Sequence, residues 1–481
     1  MTALRLKTND VHEVHADGAH ILFHIPSTSL FELDEVGGAV LSLFRDRPQV
    51  EPDDIRASFE GRFAAPEVID TIQGLLTLGI LEDAACASAP LEALVPERHP
   101  LTNLVLNVTT GCNLGCTYCY KEDLTTPMAA KTMALDDARR SVDLLLAESQ
   151  DRERVSLVFF GGEPLTNMPL IRAVTDYAEQ AAEAVGKGFD FSLTTNATLL
   201  TPDISSWLDA HRFGLTVSMD GYRELHDKNR KTIGGKGTYD VVARNVRDLL
   251  GRYRSRPIGA RVTLTAGVVD VVGIHRHLRD ELGFYEVGFA PATSTDLAMF
   301  SLDDDETGEV FRAFRFLGQE YVDAAIRGEN TGFANMRTLL KTLAEGARKS
   351  VPCGAGLGLL SVDAGGKINL CHRFTGSEMG TFGDIHSGID RTALNGFIRQ
   401  AATRTSNPAN GCSSCRVRHI CAGGCYHESH AKFGDALHPV YHVCDSIRDW
   451  VDFGISSYAR LQRENPGFLQ SHVQFQTEFL Q

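Results

Sequence analysis

The segment Thr110-Gly-Cys-Asn-Leu-Gly-Cys-Thr-Tyr-Cys-Tyr120 places Cys112, Cys116 and Cys119 within eight residues. It directly follows Leu104 to Thr109, an apolar stretch with the composition of a buried strand. Three thiolates at this spacing can bind three irons of a four-iron cluster and leave the fourth iron without a protein ligand. The spacing therefore predicts an iron-sulfur site at the end of a first strand.

Seven further cysteines form a second set near the C-terminal end, and only Cys86 stands outside both sets. The seven are Cys353, Cys371, Cys412, Cys415, Cys421, Cys425 and Cys444. Clustered cysteines form disulfides in an oxidising compartment and metal sites in a reducing one. Because the N-terminus lacks the apolar core of a secretory signal and no stretch resembles a membrane span, we expect a cytoplasmic protein with metal-binding thiols.

Length and charge narrow the class of protein further. The 481 residues predict about three domains. The net charge of −15 argues against a nucleic acid as partner and leaves a polypeptide partner possible.

The first 95 residues have a pattern of their own. Apolar and polar residues alternate from His20 to Ile25, Asp34 has the position of a helix N-cap, and a second helix follows Pro66. Together these features predict a small winged-helix-like unit. The Ala- and Pro-rich stretch from Asp83 to Pro100 reads as a linker.

From Leu101 the chain alternates apolar strands with helices six times. The strands are expected at 104–109, 155–160, 189–194, 215–219, 261–265 and 286–291, and the helices include 135–148, 170–185, 239–250 and 275–282. This alternation predicts an α/β fold, a partial (β/α)6 TIM-like barrel. Ligands bind at the carboxyl ends of such strands, where Gly161-Gly-Glu-Pro164, Thr194-Thr-Asn196 and Ser218-Met-Asp-Gly221 lie, although each could also be an ordinary turn.

The three-cysteine spacing after a first barrel strand resembles the radical S-adenosylmethionine superfamily, and the likeness covers residues 101 to about 330. The resemblance implies that S-adenosylmethionine binds the open iron and is cleaved to a 5′-deoxyadenosyl radical. It also implies cofactor contacts, with a surface salt bridge as the alternative for each arginine. These are Tyr118 at adenine, Gly161, Gly162, Glu163 and Pro164 at the amino group, Thr195, Asn196 and Ser218 at the ribose, and Arg230 and Arg261 at the carboxylate.

Asp220 ends the fourth predicted strand, where peptide-modifying members of the superfamily place a carboxylate at the substrate pocket. A carboxylate there could accept the proton released during the reaction, so we predict a catalytic role. The alternative is a turn aspartate that caps Gly221 and Tyr222.

The seven later cysteines, with Gly366, resemble the SPASM extension of these enzymes. The resemblance implies one auxiliary cluster on Cys412, Cys415, Cys421 and Cys444, a second on Cys353, Cys371 and Cys425, and thus three 4Fe-4S clusters in all. One iron of the second auxiliary cluster would lack a cysteine, and a substrate thiolate, His372 or water could occupy it. A zinc ribbon on four of the cysteines is the alternative.

The expected domains are a leader-peptide-binding unit at 1–95, the barrel at 96–340, the auxiliary-cluster domain at 341–450 and a C-terminal helix and tail at 451–481. The first unit resembles domains that bind leader peptides, with a purely structural cap on the barrel as the alternative.

The whole layout resembles most the maturases of quinohemoprotein amine dehydrogenase, which link cysteine sulfur to Asp or Glu side-chain carbons in the γ subunit. The partners implied are that polypeptide and an electron donor such as flavodoxin or ferredoxin. Other peptide modifications, formylglycine formation in sulfatases, and a non-enzymatic electron carrier remain alternatives.

Overall fold

The computed structural model describes residues 3–85, 98–120, 130–292, 298–440 and 442–474. Its N-terminal unit contains five strands and three helices: β1 (Leu4–Leu6), β2 (Val11–Ala16), β3 (Ala19–His24), β4 (Ser29–Leu33), α1 (Glu35–Asp46), α2 (Pro52–Phe59), α3 (Ala65–Thr77) and β5 (Leu81–Asp83). The strands β2, β3 and β4 form an antiparallel sheet, and β1 pairs with β5. Asp34 is the N-cap of α1, as predicted, because its carboxylate accepts a hydrogen bond from the amide of Gly37 at 2.7 Å.

The predicted alternation of apolar and polar residues along β3 is wrong. Leu22 is buried in the core of the N-terminal unit, whereas Ile21 and Phe23 belong to the core of the main body. A strand whose two faces meet different cores carries apolar residues on both. Of the predicted linker from Asp83 to Pro100, residues 86–97 lie outside the described residues.

The main body is an α/β fold built on one eight-stranded sheet in the order β11-β10-β9-β8-β7-β6-β12-β13. Its first six strands are parallel: β6 (Asn103–Thr109), β7 (Arg154–Gly161), β8 (Gly188–Thr195), β9 (Gly214–Ser218), β10 (Ile258–Leu264) and β11 (Glu286–Pro291). The connecting helices are α4 (Leu135–Glu148), α5 (Met168–Ala184), α6 (Pro202–Ala210), α7 (Arg223–Asn229), α8 (Tyr239–Arg252) and α9 (Val271–Arg276), with a π-helical turn at His277–Glu281. The predicted fold class and all six strands are confirmed, with ends that differ by up to three residues.

The barrel strands form because alternate residues meet two different environments. In β10, Ala260, Val262 and Leu264 are buried in the core, whereas Arg261 lies between them on the opposite face. The same alternation occurs in β9, where Leu215 and Val217 are buried and Ser218 is partly exposed. In β9 and β10, polar side chains therefore line the inner face of the sheet, and apolar side chains fill the layer beneath the helices.

The C-terminal region continues the barrel rather than standing apart from it. It contains α10 (Asp304–Ile326), α11 (Ala334–Glu345), β12 (Leu359–Val362), β13 (Ile368–Asn369), β14 (Gly383–Asp384), β15 (Gly388–Ile389), α12 (Arg391–Thr403), α13 (Arg418–Cys421), α14 (Tyr426–Phe433), α15 (Cys444–Glu464) and α16 (Pro466–Phe468). The strand β12 pairs in parallel with β6, so the sheet crosses the domain boundary expected at residue 340. The helix α15 begins at Cys444 and runs across the boundary expected at residue 450.

Among the described residues, three ion pairs attach the N-terminal unit to the C-terminal region, and one of them joins Arg463 to the Glu32 carboxylate at 3.5 Å. His12 lies 2.9 Å from the Asp452 carboxylate, and Arg418 lies 2.7 Å from the Asp10 carboxylate. Within the described ranges, no helix has the length and apolar composition that crossing a membrane requires.

Leu106→Ala tests the core of the barrel, because Leu106 is fully buried in the middle of β6. We expect the free energy of unfolding to fall by about 2–5 kcal/mol, since a large-to-small substitution loses contacts and leaves a cavity. Urea unfolding followed by far-ultraviolet circular dichroism measures this change. The control Leu78→Ala, at a residue that is 41% exposed, should change stability by less than about 0.5 kcal/mol. Equal losses in the two variants would contradict this description of the core.

Candidate functional site

Ten unpaired cysteines are described, and their thiols approach one another in three groups. The radical group is Cys112, Cys116 and Cys119; the three-thiol group is Cys353, Cys371 and Cys425; the four-thiol group is Cys412, Cys415, Cys421 and Cys444. Members of each group act electrostatically on one another, and the membership is the one that the resemblance implied. Whether clusters occupy the groups stays a prediction.

The chemistry of these groups fits metal clusters. Burial raises the pKa of Cys112 to about 12 and the pKa of Cys116 to about 11. Burial likewise raises the pKa of Cys371 and of Cys412 to about 11. Such thiols are neutral at physiological pH until a metal displaces their protons, which makes metal binding release protons.

The separation of the sulfur atoms argues against a single metal ion. Tetrahedral zinc with bonds of about 2.3 Å holds its sulfur ligands about 4 Å apart. Among the residues described, no three cysteine sulfurs lie within 4.8 Å of one another, whereas ligand atoms of Glu13, His15 and His20 do. A cluster of several irons separates its cysteine ligands more widely. The three groups therefore fit iron-sulfur clusters better than the zinc ribbon.

Glu163 connects the ends of two strands to the cysteine loop. Glu163 is 1% exposed, and its carboxylate accepts hydrogen bonds from the Thr195 hydroxyl at 2.7 Å and from the backbone N–H of Asn196 at 2.7 Å. The Leu165 amide donates a third bond at 3.1 Å. Burial outweighs these donors and raises the pKa of Glu163 to about 7. Glu163 therefore orders the strand ends, and a ligand ammonium would have to share its remaining lone pair.

The backbone before and within the cysteine loop lies so close to Gly161 and Gly162 that it leaves no space for a side chain at either position. A Cβ atom on Gly161 would lie 2.2 Å from the carbonyl oxygen of Thr109, and one on Gly162 would lie 2.2 Å from that of Gly111. Gly161 also has a φ angle of 150°, which residues with a Cβ atom rarely adopt. Pro164 is buried at the start of a short 3-10 helix, Pro164–Asn167. This motif thus brings the backbone after β7 against the loop that carries the radical group.

The other residues predicted to contact the cofactor lie at the ends of β8 and β9 or directly after them. The Asn196 side chain lies 3.8 Å from the Cys112 sulfur and donates a hydrogen bond to the Asn113 side-chain oxygen Oδ1 at 3.0 Å. Thr195 is buried and donates its hydroxyl to Glu163, so it is already engaged within the protein. Ser218 lies at the last residue of β9 and is partly exposed.

Asp220 is fully buried, and its carboxylate accepts three hydrogen bonds. One oxygen accepts from Arg230 Nε at 2.8 Å and from the Tyr118 hydroxyl at 2.6 Å, and the other accepts from the Thr263 amide at 3.0 Å. Asp220 therefore connects a buried guanidinium to the cysteine loop and to β10. Its catalytic role stays a prediction.

Tyr118 and Arg230 belong to the same network. The Arg230 guanidinium lies 5.5 Å from the centre of the Tyr118 ring and is the cation that most lowers the pKa of Cys116, opposing the rise due to burial. Both side chains therefore border the radical group. Arg230 is buried in an ion pair rather than in the surface salt bridge weighed as the alternative.

Two residues that sequence reasoning missed lie between the radical group and the three-thiol group. Tyr120 adjoins Cys119, and the charges of Cys119, Cys371 and Cys425 all act on it. The Arg373 guanidinium lies 5.3 Å from the centre of the Tyr120 ring. The position of Tyr120 beside Cys119 was the only signal in the sequence. The structure therefore brings the early and late cysteines to a common site.

Comparison with known sequences is consistent with this geometry. Residues 106–268 match the family described as "Radical SAM superfamily". A cysteine-type anaerobic sulfatase-maturating enzyme of Clostridium perfringens is 30% identical over 158 residues, which cover 32% of this chain and 42% of that enzyme. The radical SAM cyclopropyl synthase TigE of Paramaledivibacter caminithermalis is 20% identical and covers 71% of each chain. Residues 106–268 of the barrel are thus similar to the radical SAM superfamily, and the proteins similar to this chain include a sulfatase-maturating enzyme and a cyclopropyl synthase.

Solved structures share the fold. The structure of native anSMEcpe with bound AdoMet has a TM-score of 0.64 and 21% identity, and the match covers 76% of this chain and all of that one. Streptococcus suis SuiB bound to its precursor peptide SuiA has a TM-score of 0.50 and 16% identity, and that match covers 92% of this chain and 99% of that one.

Asp220→Asn tests whether the carboxylate positions its neighbours. We expect the free energy of unfolding to fall by about 3–5 kcal/mol, because the buried Arg230 charge loses its partner. Urea unfolding of the protein measures the loss. The control Asp240→Asn removes the exposed partner of Arg223 and should leave stability unchanged. Full stability of Asp220→Asn together with loss of catalysis would instead support the proton-acceptor role.

Proposed function

We propose that this protein is a radical S-adenosylmethionine maturase that forms thioether cross-links between cysteine sulfur and Asp or Glu side-chain carbons in a polypeptide. The observation that supports the proposal most is the meeting of the radical group and the three-thiol group around Tyr120. An enzyme that joins a carbon radical to a sulfur needs its radical source and a sulfur-binding site near one substrate segment. The polypeptide proposed is the γ subunit of quinohemoprotein amine dehydrogenase.

The ten cysteines would hold three 4Fe-4S clusters, and S-adenosylmethionine would bind beside the radical group. When bound, these cofactors supply a radical that removes a substrate hydrogen, and the auxiliary clusters take up the electron released on bond formation. An external donor such as flavodoxin or ferredoxin would reduce the radical site.

The residues of the barrel organise that site. The Asn196 side chain borders Cys112, and Glu163 fixes the backbone N–H of Asn196, so together they would set the surface on which the cofactor lies. Arg230 keeps its terminal nitrogens for the methionyl carboxylate while its Nε binds Asp220. In this proposal Asp220 is a positioning residue. Tyr118 is oriented by the same carboxylate, which presents its ring toward the adenine.

The three-thiol group offers the sulfur site. It provides three cysteine ligands where the four-thiol group provides four. A substrate thiol could supply the missing ligand and would lose its proton on binding metal. His372 follows Cys371, and its ring lies 4.4 Å from that of Phe160, so it borders the same space and remains the alternative ligand.

The N-terminal unit would hold the leader of the polypeptide. In the sheet order β2-β3-β4, the edge strand β2 packs against α15, which leaves β4 (Ser29–Leu33) as the other edge. An extended leader peptide could pair with that edge by hydrogen bonds of the main chain.

Formylglycine formation is the second candidate, and the sequence similarity to a sulfatase-maturating enzyme favours it. Among the described residues the three-thiol group has no fourth cysteine, which favours thioether formation because it leaves a position for a substrate sulfur. A non-enzymatic electron carrier would not need the ordered strand ends around Glu163 and Asn196.

The test is incubation of anaerobically reconstituted protein with S-adenosylmethionine, dithionite and the γ-subunit polypeptide. We expect about twelve irons per chain and a product lighter by two hydrogens for each link, with the cysteine protected from alkylation. Tandem mass spectrometry identifies the linked residues. Cys116→Ala should lose the radical cluster, about four irons, and all product.

The control Leu78→Ala lies in the N-terminal unit, outside the three thiol groups, and should form product at the normal rate. Formylglycine at the cysteine, or a carbon-carbon link, would replace the thioether proposal with one of its alternatives. Failure to cleave S-adenosylmethionine would contradict the enzyme function altogether.

A further inference from the structure

Three side chains that can bind metal meet in the N-terminal unit, outside the three thiol groups. Glu13 and His15 lie on β2, and His20 lies on β3. Ligand atoms of these three residues all lie within 4.8 Å of one another. The proposed reaction uses none of them.

The register of the sheet brings the three side chains to one face. His15 pairs directly with His20 across the antiparallel strands β2 and β3. Residues that pair directly place their side chains on the same face, and Glu13, two residues before His15, shares that face. The imidazole rings of His15 and His20 stack with their centres 4.1 Å apart. The strand pairing itself therefore brings the three groups together.

The Glu13 carboxylate has an orientation that suits one metal bond. Its Oε2 atom lies 2.7 Å from His20 Nε2, and Arg45 of α1 donates a hydrogen bond to its Oε1 atom. Two ligand atoms of a tetrahedral zinc ion lie about 3.3 Å apart, so a small widening of the Oε2–Nε2 contact admits the ion. The ion would displace the proton that Glu13 and His20 now share. Arg45 would then orient the ligand carboxylate from outside, as hydrogen-bond partners of metal ligands do.

The surroundings leave room for an ion and for water. A groove of about 500 Å³ borders His15, His20 and Gly38. A Cβ atom on Gly38 would lie 3.0 Å from His20 Nδ1, so glycine at this position of α1 lets the imidazole lie close to the helix. His15 is exposed, whereas Glu13 and His20 are partly buried. An ion can therefore enter from solvent and keep water as a further ligand.

We propose that Glu13, His15 and His20 bind one divalent transition-metal ion, of which zinc is the reference case. Two histidines and one glutamate, with water in the fourth position, are a ligand set that zinc accepts. The two imidazoles argue against calcium and magnesium, which take oxygen ligands. The bound ion would link β2 to β3 and so stiffen the sheet of the N-terminal unit.

The competing interpretation is a network of ion pairs that binds no metal. In that network the Glu13 carboxylate binds only Arg45 and His20. The two interpretations differ at His15, which the metal site requires and the network does not. Because His15 is exposed, His15→Gln should leave the fold intact, and far-ultraviolet circular dichroism checks this.

The experiment counts the zinc bound per chain. Anaerobically reconstituted protein without a histidine tag is dialysed against buffered Zn²⁺, and bound metal is measured by inductively coupled plasma mass spectrometry. We expect the wild type to retain about one zinc ion more per chain than His15→Gln or His20→Gln. Calorimetric titration with Zn²⁺ should show affinity at this site lowered by more than about 10-fold in both variants, because losing a ligand costs more than losing an outer partner.

His386→Gln is the control, because His386 is an exposed histidine outside the N-terminal unit, and it should bind as much zinc as the wild type. Zinc held by thiols that lack iron is common to all these proteins and cancels in the comparison. The test therefore stays valid if the proposed reaction fails.

Equal zinc content in the wild type, His15→Gln and His20→Gln would overturn the proposal. An equal loss of zinc in His386→Gln and His15→Gln would also overturn it, because binding would then be an unspecific property of surface histidines.

Discussion

The buried ion pair between Asp220 and Arg230 holds the site together, because it joins elements from distant parts of the barrel. The carboxylate binds Arg230, the hydroxyl of Tyr118 in the cysteine loop and the amide of Thr263 in β10. Without Arg230, the Asp220 carboxylate would be a buried charge with no counter-charge, which costs stability. Without Asp220, the same would be true of the Arg230 guanidinium. The pair therefore fixes the cysteine loop against the ends of two strands.

The second anchor of the cysteine loop is Glu163, and it works in a similar way from the opposite side. Its carboxylate binds Thr195 and Asn196, while the glycines before it allow the backbone to approach the loop. Buried thiols with raised pKa values complete this arrangement. Thiolates in such a buried position are costly unless a cationic ligand neutralises their charge. An iron cluster is a ligand of this kind.

Much of this arrangement could be predicted from local sequence. The six strands followed from apolar runs, and the membership of the thiol groups followed from spacing together with the superfamily resemblance. Pairing between distant residues could not be predicted in this way. Asp220 had the position of a pocket residue, but its partners Arg230, Tyr118 and Thr263 come from three other elements. The glycines of the motif Gly161-Gly-Glu-Pro164 were expected to make room for a ligand. In the structure they lie against the backbone of the cysteine loop.

The central claim is that a radical formed at the early cysteines removes hydrogen from a substrate carbon. The most direct measurement uses a γ-subunit polypeptide with deuterium on the side-chain carbons of its Asp and Glu residues. Mass spectrometry then follows the 5′-deoxyadenosine released from S-adenosylmethionine. The account predicts transfer of one deuterium into that product for each thioether formed. Thioether formation with unlabelled 5′-deoxyadenosine would contradict it.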